Sequence, residues 1–409
     1  MTKKIVLFER QEDCCGCGAC ANRCPKGAIQ MQRDEFGFLY PIIQDSKCVG
    51  CGLCKTTCGF QKKNEAPLLP TAAFAVQAKD ERLLKRSASG GLFAVLAQAT
   101  LEAGGAVAGC ALVPTEDGLV PYHILIEALS ELEKLQGSKY VQSVTGDIYR
   151  QVRDTLETGR QVLFSGTPCQ VDGLNGYLGR SYPNLLTVDI ICHGTPNDAF
   201  FRDYLRFLEK KYKGTVIDFK FREKSGNWGG NREFYCGSVT FRNKNGNEQK
   251  SFFPSGKSSY YKLFLGAESF RSSCYHCKYA CLSRPGDLTI GDFWGIETQH
   301  PDYLTENGGS FSTEKGVSCL LVNSGQGGRW LDLLSSRADV KVSDPQAVAC
   351  GNRQLNHPST PGKHRDKVLW LYRDSGYPAV KAWFVWHRFF SSCTGKLHSL
   401  WKRIFPHTN

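Results

Sequence analysis

Near the N-terminus, eight cysteines stand in two copies of the pattern C-x2-C-x2-C-x3-C. Cys14, Cys17, Cys20 and Cys24 form the first copy, closed by Pro25. Cys48, Cys51, Cys54 and Cys58 form the second, closed by Gly59. Three thiolates at this step wrap one corner of a cubane iron–sulfur cluster, while the fourth reaches across to the neighbouring cluster. The spacing therefore assigns Cys14, Cys17, Cys20 and Cys58 to one 4Fe-4S cluster, and Cys48, Cys51, Cys54 and Cys24 to the other. Paired zinc knuckles are the competing reading, since C-x2-C also binds zinc. Zinc sites, however, take four ligands as two pairs, not three evenly stepped thiolates with a distant fourth. Two adjacent cubanes make electron transfer the expected chemistry.

This pattern resembles bacterial two-cluster ferredoxins over about the first sixty residues. Between the motifs, residues 28–43 read as two short strands around Asp34-Glu35-Phe36-Gly37, a hairpin such ferredoxins place there. Gly59 stands where they usually carry proline, which relaxes the loop without removing a ligand.

Four further places look unlike ordinary core. Ser87-Ala88-Ser89-Gly90-Gly91 precedes a helical stretch, where glycines admit close backbone approach and free N–H groups attract phosphate; a plain helix cap by Ser89 is the competing reading. Gly166-Thr167-Pro168-Cys169-Gln170 and Cys192-His193-Gly194-Thr195-Pro196 each follow an apolar strand-like run, where open α/β sheets carry ligand loops. Their cysteines suit either buried thiols or metal ligands. Cys274, Cys277 and Cys281 form C-x2-C-x3-C, as good for zinc as for iron–sulfur. No G-x-G-x-x-G fingerprint or complete phosphate-binding loop is present. Asp287 and Asp292 lie five apart, which in a strand places them on opposite faces, so turn and cap roles are expected.

In this order R-S-A-S-G-G-x-F, GSKYVQS (137–143), GTPCQ, CHGTP, C-x2-C, RPGDLTIGDFWG and GVSCLLVN (316–323) resemble the family of coenzyme F420 hydrogenase and dehydrogenase beta subunits, over about residues 72–325. The resemblance implies FAD and a third 4Fe-4S cluster. By matched motifs that cluster falls to Cys169, Cys192, Cys274 and Cys277, with Cys281 in reserve. It also implies a flavin pyrophosphate at Ser87, Ser89, Gly90 and Gly91, with Lys139 neutralising phosphate charge. Arg222, Lys224 and Trp228 are further candidates for stacking or anion contact, and His193 for hydrogen bonding beside a ligand. No residue is assigned a catalytic role. Of the other cysteines, Cys15 is out of step with its motif, and Cys110 and Cys319 read as core.

These residues need an α+β ferredoxin module followed by an α/β body with a mixed sheet. The module spans 1–62, and residues 61–70 read as a polar, proline-bearing linker. The body spans 71–335, in two parts of about 71–150 and 158–335, with an extension at 336–409. Strands are expected at 71–79, 105–113, 122–128, 161–165, 185–191, 218–221, 233–241 and 316–323. Helices are expected at 91–103, 146–159 and 197–211, an alternation that argues for an α/β sheet.

A chain of 409 residues with 19 cysteines is too long for a ferredoxin alone. The odd cysteine count and the lack of a secretory h-region favour reduced, cytoplasmic thiols over a disulfide scaffold. No run of eighteen apolar residues spans a membrane. A net charge of +12 favours anionic partners without choosing among them, and no nucleic-acid module is recognisable. Residues 377–405 concentrate tryptophan, phenylalanine and basic residues without an acidic one. They suit either an anionic membrane surface, on its inner face, or docking on the body or a partner subunit. The expected function is an iron–sulfur flavoprotein oxidoreductase exchanging electrons with a redox partner or carrier and a two-electron substrate. The resemblance extends to bacterial surface-polysaccharide biosynthesis. A non-catalytic electron-transfer adaptor of a larger redox complex is the alternative.

Overall fold

The computed structural model describes residues 5–62, 69–224 and 236–404, with side chains through Phe389. In the N-terminal module two one-turn helices, Ala19–Arg23 and Leu53–Thr57, flank a hairpin. Its strands β1 (Ile29–Arg33) and β2 (Leu39–Ile43) pair antiparallel from Ile29 opposite Ile43 to Arg33 opposite Leu39. Asp34 closes the turn: its Oδ1 accepts from the backbone N–H of Phe36 at 3.0 Å and of Phe38 at 2.8 Å.

The body is built on eight strands: β3 (Ala72–Ala78), β4 (Ala106–Thr115), β5 (Gly118–Ile126), β6 (Val162–Gly166), β7 (Leu185–Ile190) and, after an intervening second sheet, β11 (Leu288–Asp292), β12 (Ser318–Val322) and β13 (Ala338–Ser343). Their order is β13-β3-β12-β11-β7-β6-β4-β5. The centre, β11-β7-β6-β4, is parallel, and the flanking pairings are antiparallel. Val162, Leu163 and Phe164 are all buried, as expected for a parallel strand covered on both faces. Helix Leu92–Glu102 covers one face through Leu92, Val95 and Leu96. Helices Ile148–Glu157 and Pro168–Leu178 cover the other through Ile148, Val152, Val171 and Leu174.

The second sheet, of order β10-β9-β8, comprises β8 (Thr215–Lys220), β9 (Cys236–Arg242) and β10 (Glu248–Pro254). It packs with helix Asp198–Tyr212 around Phe200, Phe201, Phe219, Phe221 and Tyr260.

One feature departs from expectation. The sheet does not end at 335, because β13 pairs with β3 and the helix Pro345–Gly351 buries Val348 and Ala349 beneath it. Neither shows a long apolar run, so the pattern is weak before pairing. The C-terminal helix Arg365–Ile404 is interrupted at Gly376 (φ 68°). Beyond the break Tyr377, Val380 and Phe384 are buried; Tyr377 packs edge-on to Phe200, with centroids 5.1 Å apart. Val385, Trp386 and Phe389 are exposed. Thus one face of this helix docks on the body. No described helix is long and apolar enough to cross a membrane.

The module is fastened to the body chiefly through helix Pro168–Leu178. A Cβ on Gly176 would lie 2.1 Å from the Thr57 carbonyl oxygen, and one on Gly173 would lie 3.0 Å from Cys17 Sγ. Tyr149 and Thr145 donate hydroxyl hydrogen bonds to the Cys17 carbonyl at 3.1 and 3.0 Å. Arg33 forks onto Asp198 at 2.5 and 2.6 Å. Gly176→Ala should wedge this junction apart at a cost of about 1–3 kcal/mol, typical of overpacking. Hydrogen exchange should then quicken at Leu53–Thr57 while β6 and β7 stay protected.

Candidate cluster sites and cofactor cleft

Cys24, Cys48, Cys51 and Cys54 line one small cavity, walled by Ile29, Ile43 and Leu53. Cys51 is exposed, so this site faces the surface. Cys14, Cys17, Cys20 and Cys58 form a second group. Burial pushes the Cys14 thiol up to about 12, with Cys17 and Cys58 adding to the shift and Arg271 opposing it. Burial also raises Cys20, with Cys17, Cys14 and Cys58 adding. The two fourfold groups therefore have the crossed membership expected from spacing.

Cys169, Cys192, Cys274 and Cys277 line one further cavity at the ends of β6 and β7. Cys169 sits in the first turn of helix Pro168–Leu178, Cys192 follows β7, and Cys274 lies in the 3-10 turn Ser272–His276. Burial raises Cys192 strongly, with Cys274, Cys169 and Cys277 adding. Burial pushes Cys277 up to about 12. A buried pair, Arg284 with Asp189 at 2.8 Å, pins the segment carrying Cys277 to β7. Cys281 does not join this cavity; its Sγ is 3.4 Å from the Lys278 carbonyl and 3.3 Å from that of Ser283. Cys15 does join it, and hydrogen-bonds Cys169 and Cys17. The x2 spacing hid this residue, because it is out of step with the motif and its side chain lies between Cys17 and Cys169.

Among the described residues, no three His, Cys, Asp or Glu side chains converge as a single metal ion requires. The thiols instead ring cavities, which fits a cluster several atoms across. Buried neighbouring thiols resist deprotonation, so iron bound there would supply the positive charge that holds them as thiolates.

Beside the third thiol group lies a cleft of about 270 Å³. Ser165, Gly166, Ile190, Ile191, Ile290 and Gly291 form its floor, at the carboxyl ends of the parallel strands. Ser87, Ser89, Gly91 and Lys139 line it as well; Gly90 does not. Gly91 caps helix Leu92–Glu102 with φ 82°, and Gly91, Leu92 and Phe93 of this helix start, where first-turn N–H groups lack helical partners, line the cleft. Gly90 is required for packing instead: a Cβ there would lie 2.3 Å from the Val76 carbonyl oxygen. Lys139 donates to the Gln136 carbonyl at 2.8 Å and the Lys134 carbonyl at 3.2 Å, and burial lowers it to about 8.

Lys224 does not face the cleft but braces its loop, donating to the Ser89 carbonyl at 2.6 Å. Arg222 pairs with Asp292 at 2.6 Å, and Asp292 lines the cleft. Asp287 accepts from the Thr187 N–H at 2.9 Å and hydroxyl at 2.7 Å, which ties the start of β11 to β7 rather than capping a helix. Trp228 lies outside the described residues. His193 and Thr167 line both the cleft and the third thiol cavity.

A polar wall here was not legible in sequence. His123 is buried, stacked on Phe164, with Nδ1 2.8 Å from Ser143 Oγ and Nε2 3.1 Å from the Ser165 carbonyl. Gln170 donates to Ser143 Oγ at 2.9 Å. Asn352 and Ser359, from beyond residue 335, complete the cleft and the thiol cavity respectively.

Burial lowers His123 from 6.5 to about 4. The unfolded chain then takes up the proton first as pH falls. Its contribution to stability is intact above pH 6.5 and declines toward pH 4, by at most about 3 kcal/mol. His123→Gln should flatten melting temperature against pH over that interval.

Residues 13–62 match the family model described as 4Fe-4S dicluster domain. Residues 159–348 match the model for the C-terminal part of the coenzyme F420 hydrogenase/dehydrogenase beta subunit. The F subunit of the F(420)H(2) dehydrogenase of Methanosarcina mazei is 24% identical over 182 residues, covering 42% of this chain. The chain spans about half (50%) the length of that curated relative. A chain in a structure of the F420-reducing NiFe hydrogenase complex from Methanosarcina barkeri aligns with TM-score 0.43 and 13% identity, over 75% of this chain and 94% of its own.

Proposed function

From a chain that joins a 4Fe-4S dicluster domain to a body of the coenzyme F420 hydrogenase/dehydrogenase beta type, we propose an iron–sulfur flavoprotein oxidoreductase. One observation carries the reading: the cavity ringed by Cys169, Cys192, Cys274 and Cys277 shares Thr167 and His193 with the cleft. Those four cysteines would hold a third 4Fe-4S cluster, beside the eight ferredoxin ligands. Ser87, Ser89 and Gly91 with Lys139 would hold FAD. Clusters carry single electrons, and a flavin exchanges them for the pair that an organic substrate takes.

The thiol groups also suggest an order. Cys51 is exposed, so a redox partner protein or carrier would approach the Cys24, Cys48, Cys51 and Cys54 site. Cys17 packs on the helix whose first turn carries Cys169, which sets the first group beside the third. The substrate side would be the cleft mouth, where Trp294 is exposed. A surface-polysaccharide substrate draws on the family resemblance and on no cleft residue.

A second reading, an electron-transfer adaptor serving a separate catalytic protein, draws on the relative, which is one subunit of a dehydrogenase. Exposed Val385, Trp386 and Phe389, near Lys381 and Arg388, would serve contact with that protein or with an anionic membrane.

Anaerobically purified protein should carry about twelve iron atoms, as three cubanes, and one flavin. Cys277→Ser should lower iron by about four and Cys281→Ser should not. Eight iron atoms in the parent protein would remove the third cluster. Lys139→Ala should weaken flavin binding about ten- to a hundredfold, the usual loss of a charge-assisted hydrogen bond. Turnover of a small molecule without a co-purifying partner separates enzyme from adaptor.

A further inference from the structure

The Thr167 hydroxyl stands between two acceptors. Its Oγ1 is 3.2 Å from Cys169 Sγ and 3.0 Å from Gln170 Oε1. With Cys169 as a cluster ligand there is no thiol proton, so the only proton for either contact is the hydroxyl's. Gln170 Oε1 does not depend on it, because the Thr167 backbone N–H also donates there at 3.1 Å. The hydroxyl can therefore turn to sulfur without leaving a buried acceptor unpaired, which would otherwise be costly. Gln170 itself is held in place, since its Nε2 donates to Ser143 Oγ.

We propose that Thr167 is a redox-responsive donor: its hydroxyl turns from Gln170 to Cys169 Sγ on reduction, and this raises the potential of the cluster held by the body cysteines. The inference rests on the third-cluster reading above. The step is one electron taken from a one-electron donor of the ferredoxin or dithionite class. No bond between heavy atoms forms or breaks, and the proton stays on Thr167 Oγ1. Added charge on the cluster sulfurs makes Cys169 the better acceptor, and hydrogen bonds to such sulfurs set cluster potentials. Thr167 is a positioning residue acting through Cys169. Cys15, the other donor at Cys169, is unchanged by the variants below.

The test is a dithionite redox titration of full-length, anaerobic holoprotein followed by electron paramagnetic resonance. The third-cluster signal is identified as the one lost in Cys277→Ser. In Thr167→Val its reduced-to-oxidised ratio at the parent midpoint should fall about tenfold, which is ~59 mV for one electron. Thr167→Ser should restore it, with iron content and the other two midpoints unchanged. Gln170→Met removes the competing acceptor and should shift the midpoint the opposite way. A role in helix capping alone would not give opposite signs. An unchanged midpoint in Thr167→Val with full iron would overturn the proposal, as would a serine variant that behaves like valine. If Thr167→Val loses the cluster, the sign of the Gln170→Met shift decides. Eight iron atoms in the parent would instead remove the cluster reading itself.

Discussion

Helix Pro168–Leu178 is where the first and third thiol groups meet, and their proximity depends on how tightly it can pack. Cys169 occupies its first turn, Gly173 sits against Cys17, and Gly176 lies against the end of helix Leu53–Thr57, just before Cys58. Asn175, on the same helix, donates to the Pro285 carbonyl at 3.0 Å in the segment that follows Cys277. Only a face of small residues permits this approach, because each added carbon would meet backbone or sulfur. Electron-transfer groups must lie close to one another, so a steric property of one short helix governs the arrangement.

Charge is placed to match. Arg271 is almost fully buried, with its guanidinium on the Leu39 carbonyl at 2.6 Å, the Cys14 carbonyl at 3.3 Å and Gln142 Oε1 at 3.0 Å. Its carbon lies 4.4 Å from the Tyr40 ring centroid. Its positive charge lowers the thiol pKa of Cys14, Cys169 and Cys274 against the opposing effect of burial. A buried cation bonded to neutral oxygens is expensive unless negative charge lies near it, and cysteines held as thiolates by bound iron on two sides would meet that need. Lys278 repeats the device at smaller scale, donating to the Gly59 carbonyl at 2.7 Å and lying 3.9 Å from Asp172.

The cleft and the third thiol cavity share a wall, and that wall is polar where the rest of the sheet interior is apolar. Thr167, Gln170, Ser143 and His123 form a continuous hydrogen-bonded run from Cys169 to the Ser165 carbonyl. Burial keeps His123 neutral at ordinary pH, so the run carries no net charge beside the cleft. Such a wall would transmit the state of a sulfur as reoriented hydroxyls at little cost, which a wall of leucines could not do.

Local spacing was enough for the ferredoxin module, since three of each cubane's four ligands stand at steps of three residues and the fourth follows the same motif repeated. Apolar runs likewise marked β3, β4, β6, β7 and β12, because strands buried on both faces are apolar throughout. The GTPCQ and CHGTP loops were legible as loops at the carboxyl ends of strands because each follows such a run, and both line the third thiol cavity. Other features have no local signature. Strand β13 and helix Pro345–Gly351 are ordinary in composition and gain meaning only by pairing with β3. Spacing put Cys281 in reserve for the third thiol group and set Cys15 aside, whereas Cys15 lines that cavity and Cys281 does not, because side-chain placement is decided by packing across the module–body junction. Gly90 looked like a ligand glycine and proved to be a strand-contact glycine, since only the fold brings the Val76 carbonyl within 2.3 Å of where its Cβ would stand. Sequence alone picked out the cysteines whose spacing suits iron–sulfur clusters. Tertiary structure decided which of them face one another, because those contacts join residues from tens to more than a hundred positions apart.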